Sequence, residues 1–235
     1  MNDKVKPLSW DSNFFNLKIG RINLDEHLNA EKIIPFLSAS NFDLIYVFCQ
    51  SAIPALNSSL IEKKMDFIIN LNEISIATDG NEVSSFSIEE DDFEDIKKLA
   101  LLSGRYSRFN LDEKFEKDNF KKFYDQWIYN SVFENYVEKI FVSKANDGEI
   151  IAFVTLKKIN NQMLSINLIS VNSKFQGRGL GSKLIKQSFN YAKNQGFTNM
   201  VVSTQAINQE AIKLYKKNNF KLEKIQYVYH YWNKL

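Results

Sequence analysis

The sequence is short of everything that would tie it to the outside of a cell or to a charged polymer. One cysteine, Cys49, stands in 235 residues. No internal disulfide can form, which fits a reducing, cytoplasmic compartment. The N-terminal stretch MNDKVKPLSWD lacks the apolar core of a signal peptide. No apolar run approaches the length needed to cross a bilayer. An excess of one charge sign is missing too. The 30 basic residues face 28 acidic ones, leaving a formal +2, so no nucleic-acid or membrane surface is indicated. The basic set is nearly all lysine; arginine is confined to Arg21, Arg105, Arg108 and Arg178. Metal-ligand spacing is absent, as is any Ser/His/Asp or Cys/His pattern. The two histidines, His27 and His230, are too far apart in sequence to suggest a metal pair.

What is present suits one large domain or two small ones. From residue 84 the pattern predicts a short strand at FSI, then a capped amphipathic helix at DDFEDIKKLALLS. A second helical region spans 110–134, with Phe120, Phe123, Tyr124, Trp127 and Ile128 at helical spacing. Residues 139–171 read as three strands, with Asp147-Gly148 a hairpin turn between the first two. A helix follows, ending at Gly196. NMVVST then reads as a strand, NQEAIKLYKKN as a helix, and FKLEKIQYVYHYW as a strand pair or bent strand. This order is α+β, with a largely antiparallel sheet running into a strand–helix–strand unit. Asp79, Gly80 and Asn81 mark a boundary. Before it, residues 42–76 echo 197–231: apolar strand, loop, helix ending in Lys-Lys-x-x-Phe, strand. Residues 1–78 are therefore expected to be a degenerate half-copy of 84–235, without its glycine loop.

That loop, FQGRGLGSKL at 175–184, carries three glycines ahead of a helical pattern, where free amides and the helix dipole attract anions. A P-loop requires Gly-Lys-Ser/Thr, and here Ser182 and Lys183 are in the opposite order. A dinucleotide fingerprint requires Gly-x-Gly-x-x-Gly after the first strand of a parallel unit, and this loop follows an antiparallel meander. The pattern Gln/Arg-x-x-Gly-x-Gly/Ala fits Gln176 to Gly181 at every position. In that loop backbone amides wrap the pyrophosphate of coenzyme A.

On this loop the chain resembles the GNAT acyltransferase superfamily. A second block supports it: Asn208, Ala211, Tyr215 and Phe220 match Asn-x-x-Ala-x-x-x-Tyr-x-x-x-Gly-Phe, with Asn219 where glycine is usual. Asn is the next-best residue for a left-handed turn. The resemblance covers roughly residues 84–235. It implies a GNAT fold, acetyl-CoA as donor, and direct transfer to an amine. A narrower resemblance rests on LSWDSNFFNLKIGRI (8–22), SRFNLD (107–112) and FYDQWI (123–128). These are similar to acetyltransferases of dTDP-4-amino-4,6-dideoxygalactose in surface-polysaccharide synthesis, which carry a partial GNAT-like domain before a full one.

The resemblance implies roles residue by residue. Tyr215 would protonate the departing thiolate. The loop residues Gln176, Gly177, Arg178, Gly179, Leu180, Gly181 and Ser182 would hold the cofactor. Leu168, Ile169, Ser170 and Val171, on the strand before the loop, would bind its pantetheine arm through free amides. Asn208 is expected either to contact the cofactor or only to cap its helix. Arg105, Tyr106 and Arg108 are placed at the acceptor, where arginine suits phosphate recognition. Trp10, Phe14, Phe15 and Trp127 read more simply as packing, His230 as part of a strand, and Cys49 as a small buried residue. No side chain stands out as a general base. The implied partner is a nucleotide-linked amino sugar, and a homodimer is the assembly the resemblance allows. The competing expectations are acetylation of another small amine or a protein N-terminus, or acyl-CoA binding without catalysis. Residues 1–78 are expected to serve the acceptor and not the cofactor.

Overall fold

A computed structural model of the chain describes residues 5–24, 30–75 and 82–233. The proposed boundary at Asp79–Asn81 and His27 lie outside the described residues. The strands are β1 (Lys6–Pro7), β2 (Ile19–Leu24), β3 (Leu44–Cys49), β4 (Leu60–Asn70), β5 (Ser84–Ser85), β6 (Lys139–Lys144), β7 (Ile150–Lys158), β8 (Met163–Val171), β9 (Asn199–Gln205) and β10 (Lys221–Trp232). The helices are α1 (Ser9–Phe15), α2 (Ala30–Ser38), α3 (Phe93–Ser103), α4 (Arg108–Leu111), α5 (Asn119–Phe133), α6 (Leu180–Asn194) and α7 (Gln209–Lys217). Among the described residues no helix is long and apolar enough to cross a membrane.

The architecture is α+β. All ten strands join one mixed, largely antiparallel sheet in the order β1-β2-β3-β10-β4-β9-β8-β7-β6-β5. Among the described residues only β2 with β3 and β8 with β9 run parallel. One face carries Tyr46, Phe48, Phe153 and Val228 and is covered by α1, α3, α4 and α5. The other carries Phe67, Val202 and Ile166 under α6 and α7, and Ile45, Val47 and Tyr229 under α2. Ile150–Leu156 of β7 is buried without a break because both of its faces are covered.

Local chemistry sets most boundaries. Asp92 caps α3 by accepting from the Glu94 amide at 2.9 Å. Gly148 turns the β6–β7 hairpin at φ 92°. Asn219 ends α7 at φ 64°, the left-handed turn expected of it. The predicted strand at FSI is displaced: β5 is Ser84–Ser85, with the Phe86 amide still bonded to Ile140. Of FKLEKIQYVYHYW, all but Phe220 is one continuous strand, β10, with two register shifts.

The larger departure lies in the first part. In place of the expected helix ending at IEKKM, residues 60–70 form an eleven-residue strand, and only a short 3-10 turn precedes it. β4 is hydrogen-bonded along both edges, to β10 and to β9. Two full ladders and the burial of Phe67 and Ile69 outweigh the modest helix preference of Glu and Lys. The likeness of 42–76 to 197–231 therefore holds for the strands and not for the helix. β3 pairs with β10, and β4 with β9, so each part lays its last strand beside the other part's first.

Candidate active site

The site begins where two parallel strands part. β8 and β9 pair from Met163↔Asn199 to Ile166↔Val202 and no further. Beyond that point β9 follows β4 as far as Lys64↔Gln205, while β8 follows β7 as far as Ala152↔Val171. A register shift leaves Asn167 unpaired on β8, a bulge that helps turn the strand away. The Leu168 amide donates to Thr155 Oγ1 at 3.0 Å and the Asn172 amide to Ile151 O at 2.8 Å, both toward β7. Alternation then turns the Ile169 and Val171 amides into the opening. The Val171 carbonyl accepts from Gln176 Nε2 at 3.1 Å. Leu168 and Ser170 also line the cleft, but the Leu168 amide is already engaged. The cleft measures about 710 Å³.

At one end of it stands the glycine loop. Gly177 and Gly179 have φ 78° and 81°, and an added Cβ would meet nothing within 4 Å at either. Their exposed backbone offers a cradle that side chains would fill. The first amide bonded back into α6 is that of Lys183, to Gly179 O. The amides of Leu180, Gly181 and Ser182 are thus left at the positive end of the helix dipole. These features fit a pyrophosphate. Gly181 serves packing instead, because a Cβ there would lie 3.0 Å from Leu214, so glycine lets α6 and α7 approach. Ser182 Oγ accepts from Asn218 Nδ2 at 3.1 Å, tying the same two helices. Arg178 turns out of the cleft. It lies over the Phe175 ring at 5.0 Å and faces a neighbouring hollow with Lys144 and Lys183.

Tyr215 lines the cleft from α7, with its ring 5.9 Å from those of Phe67 and Phe220. Burial pushes its phenol pKa well above the ordinary value. No hydrogen bond to its hydroxyl is formed among the described residues. Asn208 lines the cleft and also caps α7, accepting from the Ala211 amide at 3.2 Å.

The three expected acceptor residues separate. Arg105 lines the cleft and donates to Glu210 Oε2 at 2.6 Å, joining the α3–α4 loop to the first turn of α7. Tyr106 lies under the Arg105 guanidinium at 4.7 Å and is not a cleft residue. Arg108 points the other way, over Tyr46 at 4.4 Å and Phe109 at 4.7 Å. Trp10, Phe14 and Phe15 pack as an aromatic cluster with Phe123, Trp10 stacking on Phe14 at 5.0 Å. Trp127 and Tyr124 reach the cleft wall. Burial pushes the Tyr124 phenol up to about 12, with Ser107 pulling down and Glu62 pushing up.

Glu62 is a residue that sequence reasoning misses. Strand alternation puts it on the face opposite Phe67, whereas Tyr215 packs on the Phe67 side. The two residues therefore lie on opposite faces of the sheet, and Glu62 is not itself a cleft-lining residue but stands beside two that are, Lys64 and Gln205. Glu62 Oε2 is buried without a hydrogen-bond partner among the described residues. Burial raises its pKa, opposed by Arg108, Gln205 and Lys64. The available signal is the alternation of Met65, Phe67 and Ile69 against Glu62 and Lys64, which a helical reading of the segment hides.

The model of the acetyltransferase (GNAT) family matches residues 103–220, half of the chain. Over 95% of its length the chain is 26% identical to the dTDP-fucosamine acetyltransferase of Escherichia coli O6:H1, covering 96% of that protein. It is 25% identical over 61% of its length to the spore coat polysaccharide biosynthesis protein SpsD of Bacillus subtilis, covering 49% of it. Among solved structures, a functionally unknown conserved protein from Staphylococcus epidermidis shares the fold at TM-score 0.70 and 11% identity, over 100% of this chain and 94% of that one. A tandem GNAT protein from the clavulanic acid biosynthesis pathway shares it at TM-score 0.57 and 9% identity, over 92% and 76%.

Proposed function

The chain belongs to the acetyltransferase (GNAT) family, whose acyl donor is acetyl-CoA, and from there we propose that it acetylates the amino group of a nucleotide-linked amino sugar of the dTDP-4-amino-4,6-dideoxyhexose type, in polysaccharide biosynthesis. One observation carries the acceptor. Similarity to the dTDP-fucosamine acetyltransferase runs through nearly the whole chain, beyond the family match at 103–220. The stretches 8–22, 107–112 and 123–128, on which the narrower resemblance rests, are gathered beside one end of the cleft: Phe15 packs on Phe109 and Phe123, and Tyr124 reaches the cleft wall.

Bound acetyl-CoA supplies an activated acetyl thioester. The amides of Leu180, Gly181 and Ser182 receive the pyrophosphate at the start of α6. Ile169 and Val171 offer a free strand edge to the pantetheine arm, as a sheet edge binds an extended peptide. Glu62 takes a proton from the acceptor amine, and its raised pKa makes it a stronger base than an exposed carboxylate. Tyr215 gives its hydroxyl proton to the leaving sulfur. The burial that raises the phenol pKa also penalises a thiolate in the same cleft, so the two stay closer in acidity than the Tyr215 value alone implies. Cys49, on β3, is not a cleft residue, which suits direct transfer without an acyl-cysteine.

The test is acetyl-CoA turnover against nucleotide-linked amino sugars, the same sugars without the nucleotide, polyamines and peptide N-termini. Preference for the first group supports the reading. Preference for a peptide or polyamine, or no turnover with intact coenzyme A binding, overturns it.

A further inference from the structure

We infer that Arg21 and Arg108 together form the subsite for the diphosphate of the acceptor, with the Phe48 ring as a platform shared by both guanidinium groups. The inference rests on the reading of the acceptor as nucleotide-linked.

Arg21 comes from β2 and Arg108 from α4, far apart in sequence. The Arg21 guanidinium lies 4.0 Å from the Phe48 ring centroid, and that of Arg108 lies 5.6 Å from the same centroid. Phe48 is itself buried. Two cations held against one ring repel each other, and each is partly desolvated. The Arg21 pKa is lowered by burial first and by Arg108 second. A protein that only needed packing there would normally supply carboxylates at contact distance. Among the described residues none lies within 4.0 Å of either guanidinium, and the one arginine ion pair is Arg105 with Glu210. Among the described residues Arg21 Nε donates to Asn23 Oδ1 at 3.2 Å and to no other group. Arg108 Nε is buried with no partner among the described residues. Asp11 is the carboxylate whose field both arginines feel, and burial raises its pKa. Glu62 is a second carboxylate in the field of Arg108, and burial raises its pKa as well. Planar forks on a hydrophobic floor, with no ion pair formed among the described residues, suit a diphosphate.

The spacing agrees with the proposed chemistry. Phe48 on β3 pairs with Val228 on β10, and Val228 pairs with Glu62 on β4, so the three lie in one row on one face. Two strand spacings separate Phe48 from Glu62, roughly 10 Å. Arg21 lies at the Phe48 end of this row, while α4 packs on β4 and brings Arg108 close to Glu62, so an amino sugar with its amine at Glu62 would run its phosphates past Arg108 toward Arg21. Both arginines keep part of their surface exposed, so a ligand can reach them. Coenzyme A also carries a diphosphate, but its cradle is the loop at the start of α6.

Calorimetric titration of the full-length protein with thymidine diphosphate and, separately, with coenzyme A tests the assignment. Arg21→Gln should weaken thymidine diphosphate about tenfold or more, the loss expected for charge-assisted hydrogen bonds, and leave coenzyme A unchanged. Arg21→Lys should fall between, because charge remains and the fork is lost. Acceptor KM should rise with kcat nearly constant. Arg108→Gln should repeat the pattern; if it does not fold, the Arg21 variants decide alone. Unchanged thymidine diphosphate affinity in a folded Arg21→Gln overturns the subsite and leaves the acceptor reading standing. A parallel loss of coenzyme A binding would move the arginines to the donor. Failure of the unaltered protein to bind thymidine diphosphate overturns the acceptor reading and the subsite with it.

Discussion

His230 Nδ1 lies 2.5 Å from Asp112 Oδ2 in the core, and Trp232 Nε1 donates to the same oxygen at 3.0 Å. β10 is thereby tied to the segment after α4. Burial pushes the His230 pKa down to about 4, with Asp112 opposing and Arg108 assisting, so the ring is neutral and Nδ1–H is the donor. Burial disfavours the Asp112 carboxylate, but the bonds from His230 and Trp232, and one from the Lys114 amide, hold its pKa below the ordinary value.

Acid stability follows from that pair. The unfolded chain protonates His230 near 6.5, the folded chain only near 4. Between these values the unfolded state binds more protons, so stability falls as pH falls through the window. The loss is on the order of 3 kcal/mol if the whole shift is expressed. Asp112 adds a further loss at lower pH, as its depressed folded pKa is passed. Urea melts from pH 7 to pH 4 would show the slope. In His230→Gln the slope should flatten; an unchanged slope would assign it to other groups.

Tyr215→Phe keeps the ring contacts with Phe67 and Phe220 and deletes only the hydroxyl. Turnover should drop by ~10²–10⁴-fold if that hydroxyl is the acid. Coenzyme A affinity and the melting temperature should barely move, since no hydrogen bond to the hydroxyl is formed among the described residues. Near-normal turnover would leave Tyr215 as packing alone.

For Glu62 the readout is a pH profile. Because burial raises its pKa, the acid limb of kcat/KM should lie above the ordinary carboxylate range. Glu62→Gln should lower kcat by ~10²-fold or more and abolish that limb. A limb that survives in the variant would assign proton removal to another group.

Gly179→Ala is expected to combine two effects that a control can separate. A left-handed alanine costs about 1 kcal/mol, and Gly148→Ala, at φ 92° with open space around it, should cost the same. Only the Gly179 variant should also lose coenzyme A affinity. Equal affinities in the two variants would remove the loop as the pyrophosphate cradle.

A chain lacking residues 1–78 loses β4, and with it the strand between β9 and β10. Such a fragment should show no cooperative melt and no coenzyme A binding, contrary to the expectation that the first part serves the acceptor alone. Phe67→Ala in the full chain should cost about 3–5 kcal/mol, the usual loss for a fully buried phenylalanine. A stable fragment that binds coenzyme A would show the first part to be separable.

Elements whose signals are local are legible in the sequence: the β6–β7 hairpin at Gly148, the cap of α3 at Asp92, the glycine loop into α6, and the turn at Asn219. Each depends on dihedral preference or a hydrogen bond within a few residues, so the amino acids present decide it. The same is true of Tyr215, whose place on α7 follows from helical period. The β4 strand is not legible. IEKKM has no strong preference, and two neighbouring ladders made by distant segments choose its conformation. Glu62 and Arg21 are hidden with it, because what marks them is burial, a missing partner and a shared aromatic ring. Arg105 and Arg108 show the division most plainly. Three residues apart and alike in sequence, one forms a salt bridge at the cleft mouth and the other is desolvated against Tyr46 and Phe48. Sequence determined that two guanidinium groups would be there. The packing of α4 onto β3 decided which of them would be left without an ion pair among the described residues, because desolvation and contact depend on which surfaces meet.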